Sequence, residues 1–243
     1  MSGERFARTL VIIPAFNEAD NLAGVIGNIR EVLPGADIAV MNDGSTDSTG
    51  AIASAAGVIV LNIPYNVGIG AAVQTGFKFA AAHDYAVVLR SDGDGQHTPQ
   101  HFLQLIETLE SSDADIVIGS RFIDQKGYGA SLPRRAGIVI LARLISLIIG
   151  QRVTDPTSGF SAFNRRTIKL CADIYPHDYP EPEAIVVLHR AGLHIREIPV
   201  TMAPRQGGQS SITPVRSAYY MVKVILAILI GLLRRAPVAD NEL

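Results

Sequence analysis

Apolar runs of strand length alternate with helical patterns through the first half of the chain. The run TLVIIPA (9–15) predicts a first strand, and ADNLAGVIGNIREVL (19–33) a helix, with Asp20 or Asn21 near its start and Pro34-Gly35 stopping it. ADIAVMND (36–43) predicts a second strand and DSTGAIASAAG (47–57) a helix that Asp47 is placed to cap. The alternation continues through VIVLNI (58–63), a helix over roughly 68–82, YAVVLRS (85–91), a helix over roughly 99–110 and ADIVIGS (114–120). Strands that are apolar throughout and separated by helices predict an α/β fold, a mostly parallel central sheet covered by helices on both faces. Ligands bind such sheets beyond the carboxyl ends of the strands. That rule selects PAFNE, NDGSTD and SDGDGQ, each just past a strand end.

After about residue 120 the rhythm changes. A Gly-rich loop, DQKGYGASLP, leads to a basic-headed apolar helix, RRAGIVILARLISLIIG, and to a turn-like stretch, DPTSGFSAFNR. A helix around 181–191, a strand HIREIPV, a polar loop APRQGGQSSITP and a last helix, VRSAYYMVKVILAILIGLLRR, complete the chain. No linker-like stretch separates the halves, so residues 1–214 are expected to form one domain, followed by an apolar helix and tail over 215–243.

Neither long apolar helix matches a bilayer. GIVILARLISLIIG is interrupted by Arg143. AYYMVKVILAILIGLL (218–233) would reach only about 24 Å as helix, against a hydrocarbon core of about 30 Å. The latter is apolar nearly all round, with Lys223 its only charge; Arg216, Lys223, Arg234, Arg235 and two tyrosines suit an interface with anionic headgroups. Peripheral membrane contact is the expectation, and burial in a homo-oligomer the alternative.

Composition narrows little: 48% hydrophobic, 18% charged, formal net charge -2. That balance gives no global attraction to nucleic acid, so none is expected as a partner. The single cysteine, Cys171, fits a reducing compartment, and the N-terminus lacks the apolar core of a secretory signal; the cytoplasm is expected.

The stretch LRSDGDGQHTP (89–99) puts Asp92 and Asp94 one residue apart at a strand end. An EF-hand counted from Asp92 would need Gly and Glu where His97 and Leu103 stand. A hydrolase pair would flank a bond from two sides, about 5 Å or more apart. Two acids at i and i+2 suit a Mg²⁺ or Mn²⁺ ion bridging to phosphate, with Gly93 and Gly95 allowing the tight turn. A solvated Asx/Gly turn is the plain alternative. The other strand-end motifs also suit a nucleotide: Asp43 can accept hydrogen bonds from a base or ribose, and Pro14, Asn17 and Glu18 lie on the first strand–helix turn.

IPAFNE, NDGSTDST, NVGIGAAVQTGFKFA, SDGDGQHTP, GSRF, DPTSGFSAFNR, REIPV and RQGGQSS occur in this order between residue 12 and about 211. In these the chain resembles the family 2 inverting glycosyltransferases of GT-A fold, and among them the polyprenyl-phosphate sugar transferases. The resemblance implies a nucleotide-sugar half (1–120), an acceptor half (121–214), and transfer from a GDP-mannose or UDP-glucose type donor to a polyprenyl phosphate at the cytoplasmic membrane face. Pro14, Ala15, Asn17, Glu18, Gly70 and Gly93 would line the nucleotide-sugar pocket, with Asp43 on the base. Asp92 and Asp94 would hold Mg²⁺ or Mn²⁺ on the donor diphosphate, with Gln96 as a further ligand. Arg121 and Arg205 would clamp phosphate charge, and Arg134, Arg135 and Ser210 would complete the acceptor side.

Transfer with inversion is a single displacement opposite a departing nucleoside diphosphate, so positive charge at that leaving group is the main catalytic asset. A hydroxyl acceptor also needs a general base; a phosphate, already ionised, does not. Many hydroxyl-directed relatives carry an "ED" pair that this sequence lacks, which favours phosphate and leaves Asp155 and Glu183 as candidate bases. Other departures are Asn42 for Asp, Ser161 where the phosphate-directed enzymes have Arg, and Ser211 for Lys. Two further enzyme readings fail. NVGIGAAV has Val73 where a dinucleotide fingerprint needs its third glycine, and PAFNEADN is neither Gly-rich nor basic as a nucleotidyltransferase loop would be. Transfer to a saccharide hydroxyl and non-catalytic sugar-nucleotide binding stay as alternatives.

Overall fold

A computed structural model describes residues 6–98, 100–124, 132–203, 214–237 and 239, with the side chains of 132–134 and 214–220 excluded. Seven strands form one sheet: β1 (Thr9–Ala15), β2 (Asp37–Asp43), β3 (Ile59–Ile63), β4 (Val87–Arg90), β5 (Ile116–Ser120), β6 (Ser161–Asn164) and β7 (Ile195–Pro199). Their order is β3-β2-β1-β4-β6-β5-β7, and every pairing is parallel except those of β6, which runs antiparallel to β4 and β5. The helices are α1 (Ala19–Val32), α2 (Thr49–Ala55), α3 (Ile69–Ala82), α4 (Gln100–Ser111), α5 (Leu132–Ile149), α6 (Arg165–Ile174), α7 (Pro180–Arg190) and α8 (Pro214–Leu232). The mostly parallel α/β sheet expected from the apolar runs is present.

Alternate residues of the buried strands feed two cores, as a sheet covered on both faces requires. Leu10 and Ile12 of β1 join Phe77 of α3, Leu141 of α5 and Val224 of α8 on one face. Val11 and Ile13 join Leu22 and Ile26 of α1 and Phe102 of α4 on the other. The strand order reverses at β1 and β4, with β2 and β3 on one side and the later strands on the other. That switch point opens a crevice at the carboxyl ends of β1, β2 and β4.

The stretch 155–165, expected to be turn-like, instead contains β6 and leads into α6. Its apolar residues are only Phe160, Ala162 and Phe163 around Ser161, too few for a periodicity to register, and its strand character comes from pairing with β4 and β5. Asn164 ends the strand and caps α6, its side chain accepting from the Thr167 N–H. Among the described residues no helix is long and apolar enough to cross a membrane.

Candidate active site

A cavity of about 380 Å³ sits on the carboxyl ends of β1, β2 and β4, within the usual size range for small-ligand sites. Of the residues singled out in the sequence, Pro14, Ala15, Glu18, Asp43, Asp92, Gly93 and Asp94 line it. They arrive from three separate strand ends. Phe16, Asn66, Gly68, Ile69 and Ala72 complete the wall, and Phe16 and Ile69 are exposed apolar side chains there.

The loops are fixed by hydrogen bonds between them. Asn17, at a positive φ of 56°, accepts from the Thr46 N–H at 2.9 Å, and its own N–H reaches Ser45 Oγ at 3.0 Å. Glu18 donates its N–H to Thr49 Oγ1 at 2.9 Å. Asp47 accepts from the Thr49 N–H and hydroxyl and from the Ala19 N–H, bonds that hold its carboxyl below the usual range against the opposing effect of burial. Asp43 is buried, and its two oxygens accept from the Val67 and Gly68 N–H groups at 2.8 and 3.0 Å. It therefore fixes the approach to α3 as well as lining the cavity. Asn17 and Gly70 are not among the lining residues. Gly70 has a packing reason: a Cβ there would lie 2.3 Å from the His177 carbonyl oxygen.

Asp94 is nearly buried and accepts from the Gln96 N–H at 3.1 Å. Gln96 in turn accepts at its carbonyl from the Ala203 N–H at 2.9 Å, which ties the turn to the chain after β7. Asp92 keeps 36% of its side chain exposed, enough to reach a ligand in the cavity. His97, which the sequence reading did not single out, lies under this turn with its ring against Phe160 at 4.5 Å. Its Nδ1 accepts from the Asp92 N–H at 3.2 Å, so the proton of the neutral ring is on Nε2, 3.8 Å from Asp92 Oδ2. Burial pushes the imidazole pKa down against the upward pull of Asp92 and Asp94.

Asp92 and Asp94 fit a divalent cation in their chemistry. Both are hard oxygen donors on one short turn and both face the cavity. No cluster of three or more His, Cys, Asp or Glu placed to hold a metal exists among the described residues. Two carboxylates leave coordination positions for phosphate oxygens and water, the ligand set that Mg²⁺ favours.

On the far side of the sheet the expected phosphate clamp and a candidate base are joined to each other. Asp155, fully buried, takes the Arg121 guanidinium at 2.6 and 2.7 Å and the Arg121 N–H at 3.1 Å; Thr157 Oγ1 lies 2.7 Å from the same guanidinium. Both Asp155 oxygens are thereby occupied. Glu197 builds this loop, accepting from the N–H groups of Thr154 and Asp155 and the Thr154 hydroxyl at 2.8 to 3.0 Å. Burial raises the Glu197 carboxyl above its ordinary range despite those bonds. Glu183 lies in the first turn of α7, and its Oε1 is buried with no hydrogen-bond partner among the described residues. Burial, then the neighbouring Asp178, raises its pKa.

Arg135 is on α5; the Arg134 side chain, Arg205 and Ser210 lie outside the described residues. Sequence reasoning also passed over Arg90, a guanidinium 1% exposed at the end of β4. The available signal was a charge closing an otherwise apolar strand, which requires a buried partner.

Residues 10–170 match the family model described as "Glycosyl transferase family 2". The chain is 31% identical over 228 residues to a polyprenol monophosphomannose synthase of Mycolicibacterium smegmatis, covering 89% of this chain and 85% of the relative. It is 30% identical over 216 residues to an undecaprenyl-phosphate mannosyltransferase of Micrococcus luteus, covering 85% and 88%. In fold it is similar to glucosyl-3-phosphoglycerate synthase of Mycobacterium tuberculosis, solved with Mn²⁺, UDP and glucosyl-3-phosphoglycerate. That match has a TM-score of 0.70 at 21% identity, over 99% of this chain and 86% of that one. The chain belongs to glycosyl transferase family 2, and its activity is glycosyl transfer.

Proposed function

We propose that this glycosyltransferase moves a sugar from a nucleotide diphosphate-sugar to a polyprenyl phosphate, peripherally at the cytoplasmic face of the membrane, with a divalent metal at Asp92 and Asp94. The observation that carries the donor side is the single cavity formed by the ends of β1, β2 and β4, with both aspartates on its wall. Phe16 offers a flat aromatic face and Ile69 further apolar surface to a base, while Asp43 holds the Val67–Gly68 turn in place. Mg²⁺ or Mn²⁺, when bound, supplies positive charge to the departing diphosphate.

Support for the acceptor comes from the names of the two relatives and from a groove along α5. That groove, about 670 Å³, carries Arg135, Arg143 and Arg152 beside the apolar side chains of Val139 and Leu147. Cations next to apolar surface suit a phosphate on a hydrocarbon chain. The α8 side chains Val222, Leu226, Leu229 and Ile230 are exposed, with exposed Leu233, Arg234 and Arg235 just past the helix end, as an interfacial helix requires. An ionised phosphate oxygen attacks the anomeric carbon without a base, which agrees with the engagement of Asp155 by Arg121. One observation favours a second reading, transfer to a saccharide hydroxyl: the raised pKa of Glu183 suits a general base.

The test is transfer of labelled sugar into organic-extractable lipid from GDP-mannose, UDP-glucose or UDP-N-acetylglucosamine, with Mn²⁺ and a polyprenyl phosphate, with and without chelator. Chelator-sensitive label in the lipid phase is expected. Label only on a soluble saccharide would replace the lipid acceptor with the hydroxyl reading.

A further inference from the structure

Arg90 is the largest of the fully enclosed side chains. Its guanidinium meets Glu181 of α7 in a close ion pair and lies 3.0 Å from the Tyr175 hydroxyl. On its other side Nη2 is 3.8 Å from Asp92 Oδ1, and that oxygen is enclosed with no hydrogen-bond partner among the described residues. The rest of the Asp92 side chain remains on the cavity wall. The space is closed from above by Gly159, where a Cβ would stand 3.0 Å from Arg90 Nη2 and 3.1 Å from Asp92 Oδ1. Directly across the ladder from Arg90 is Ser161, whose small side chain leaves room for the guanidinium.

A buried arginine costs several kcal/mol in lost hydration unless its charge is matched. Glu181 alone matches it in net charge. The approach to Asp92 is therefore an additional arrangement, and it has a geometric consequence: one carboxylate oxygen is drawn inward, which fixes the rotation of the group.

We infer that Arg90, braced by Glu181 and Tyr175, is a positioning residue that orients Asp92 for the cation and so links the metal-holding turn to α7. This rests on the proposed metal site at Asp92 and Asp94. Glu181 is 91 residues from Arg90 in sequence and belongs to the segment that packs on α5 and α8. The orientation of a donor-side ligand thus depends on a helix from the acceptor side. Residues that orient metal ligands without touching the metal commonly change affinity by about 10–100-fold when altered.

The test is Mn²⁺ binding, followed by the electron paramagnetic resonance signal of free Mn²⁺, with saturating UDP or GDP. Arg90→Met is expected to weaken Mn²⁺ at least about tenfold, and Arg90→Lys, which keeps the charge, to recover part of that loss. Arg90→Met alone leaves Glu181 buried and unpaired, so Arg90→Met/Glu181→Leu is measured beside it, since replacing a whole buried pair by apolar residues is often tolerated. The double variant is expected to regain thermal stability without regaining Mn²⁺ affinity. Gly159→Ala keeps every charge while pressing on both Arg90 and Asp92, and is also expected to weaken Mn²⁺. Wild-type affinity in a folded double variant or in folded Gly159→Ala would overturn the inference and leave the metal site standing. Absence of Mn²⁺ binding by the wild-type protein with either nucleotide would overturn both.

Discussion

The two sides of the sheet handle charge in opposite ways. Along β1, β2 and β4, carboxylates sit at strand ends with their bonds supplied by backbone N–H groups: Val67 and Gly68 for Asp43, Gln96 for Asp94. Both of these carboxylates line the cavity. Beyond β5, charges are paired with each other inside the protein, Arg121 with Asp155, and where β4 meets α7 Arg90 is paired with Glu181 in the same way. A carboxylate held by amides remains available to a cation, whereas one held by a guanidinium is already neutralised. The donor side is therefore built to attract positive charge and the inner acceptor side to be electrically quiet.

The sharpest way to break that comparison is at the donor side. Asp94→Asn keeps the shape and an acceptor for the Gln96 N–H but removes a charge from the cavity wall. Transfer is expected to fall by about 10³-fold or more, on the scale of losing a main electrostatic stabiliser of the leaving group. Circular dichroism and melting temperature should be little changed. A rate within tenfold of wild type would show that this carboxylate is not the cation's anchor.

The corresponding change on the acceptor side should act on stability. Asp155→Ala removes the carboxylate that pairs with the buried Arg121 guanidinium, and breaking such a pair typically costs about 3–5 kcal/mol. Urea denaturation should show that loss as a lower midpoint with an unchanged slope. Less than about 1 kcal/mol would mean that Arg121 turns out to solvent, and that its engagement by Asp155 is looser than the three hydrogen bonds imply.

This contrast also explains how much was legible in the sequence. The donor wall reads well because its parts are local. An apolar run ends, a Gly- and Asp-rich turn follows, and parallel topology carries three such turns to one edge. Arg121–Asp155 and Arg90–Glu181 span 34 and 91 residues, so their pairing is created by the fold and leaves no local trace. Asp155 thus looked like a candidate base when seen without Arg121. Position 161 looked like the loss of a cation, yet the serine there faces Arg90 across the ladder. β6 escaped notice for the same reason, its four residues being a strand only through their neighbours.

A smaller effect tests His97, a buried imidazole under the donor turn. Its folded pKa lies below the unfolded value of about 6.5 because burial disfavours the imidazolium. The unfolded chain therefore binds more protons as pH falls below about 6.5, and the native state loses stability through that window until the lower folded pKa is passed. His97→Asn keeps an acceptor for the Asp92 N–H but cannot titrate. The stability of wild type minus that of His97→Asn should decline between pH 7 and pH 5. A flat difference would mean that Asp92 and Asp94 compensate the buried imidazolium fully.

The smallest expected effect is also the one that separates the acceptor readings. Glu183 has a raised pKa, so its charged form is the strained one, and native stability from this group is lost as pH rises from about 4.5 through the folded value. Glu183→Gln removes that penalty, and the variant should gain on wild type in melting temperature between pH 4 and pH 7. With a phosphate acceptor, which brings its own ionised oxygen, the turnover rate of Glu183→Gln should change by less than about twofold, since general-base catalysis is not asked of it. With a hydroxyl acceptor the same substitution should cost about 10²–10⁴-fold. A pH–rate profile that loses its acidic limb in the variant would make Glu183 the base and move the acceptor from phosphate to hydroxyl. An unchanged profile leaves Glu183 as a half-buried carboxyl in the first turn of α7 with no part in the transfer step.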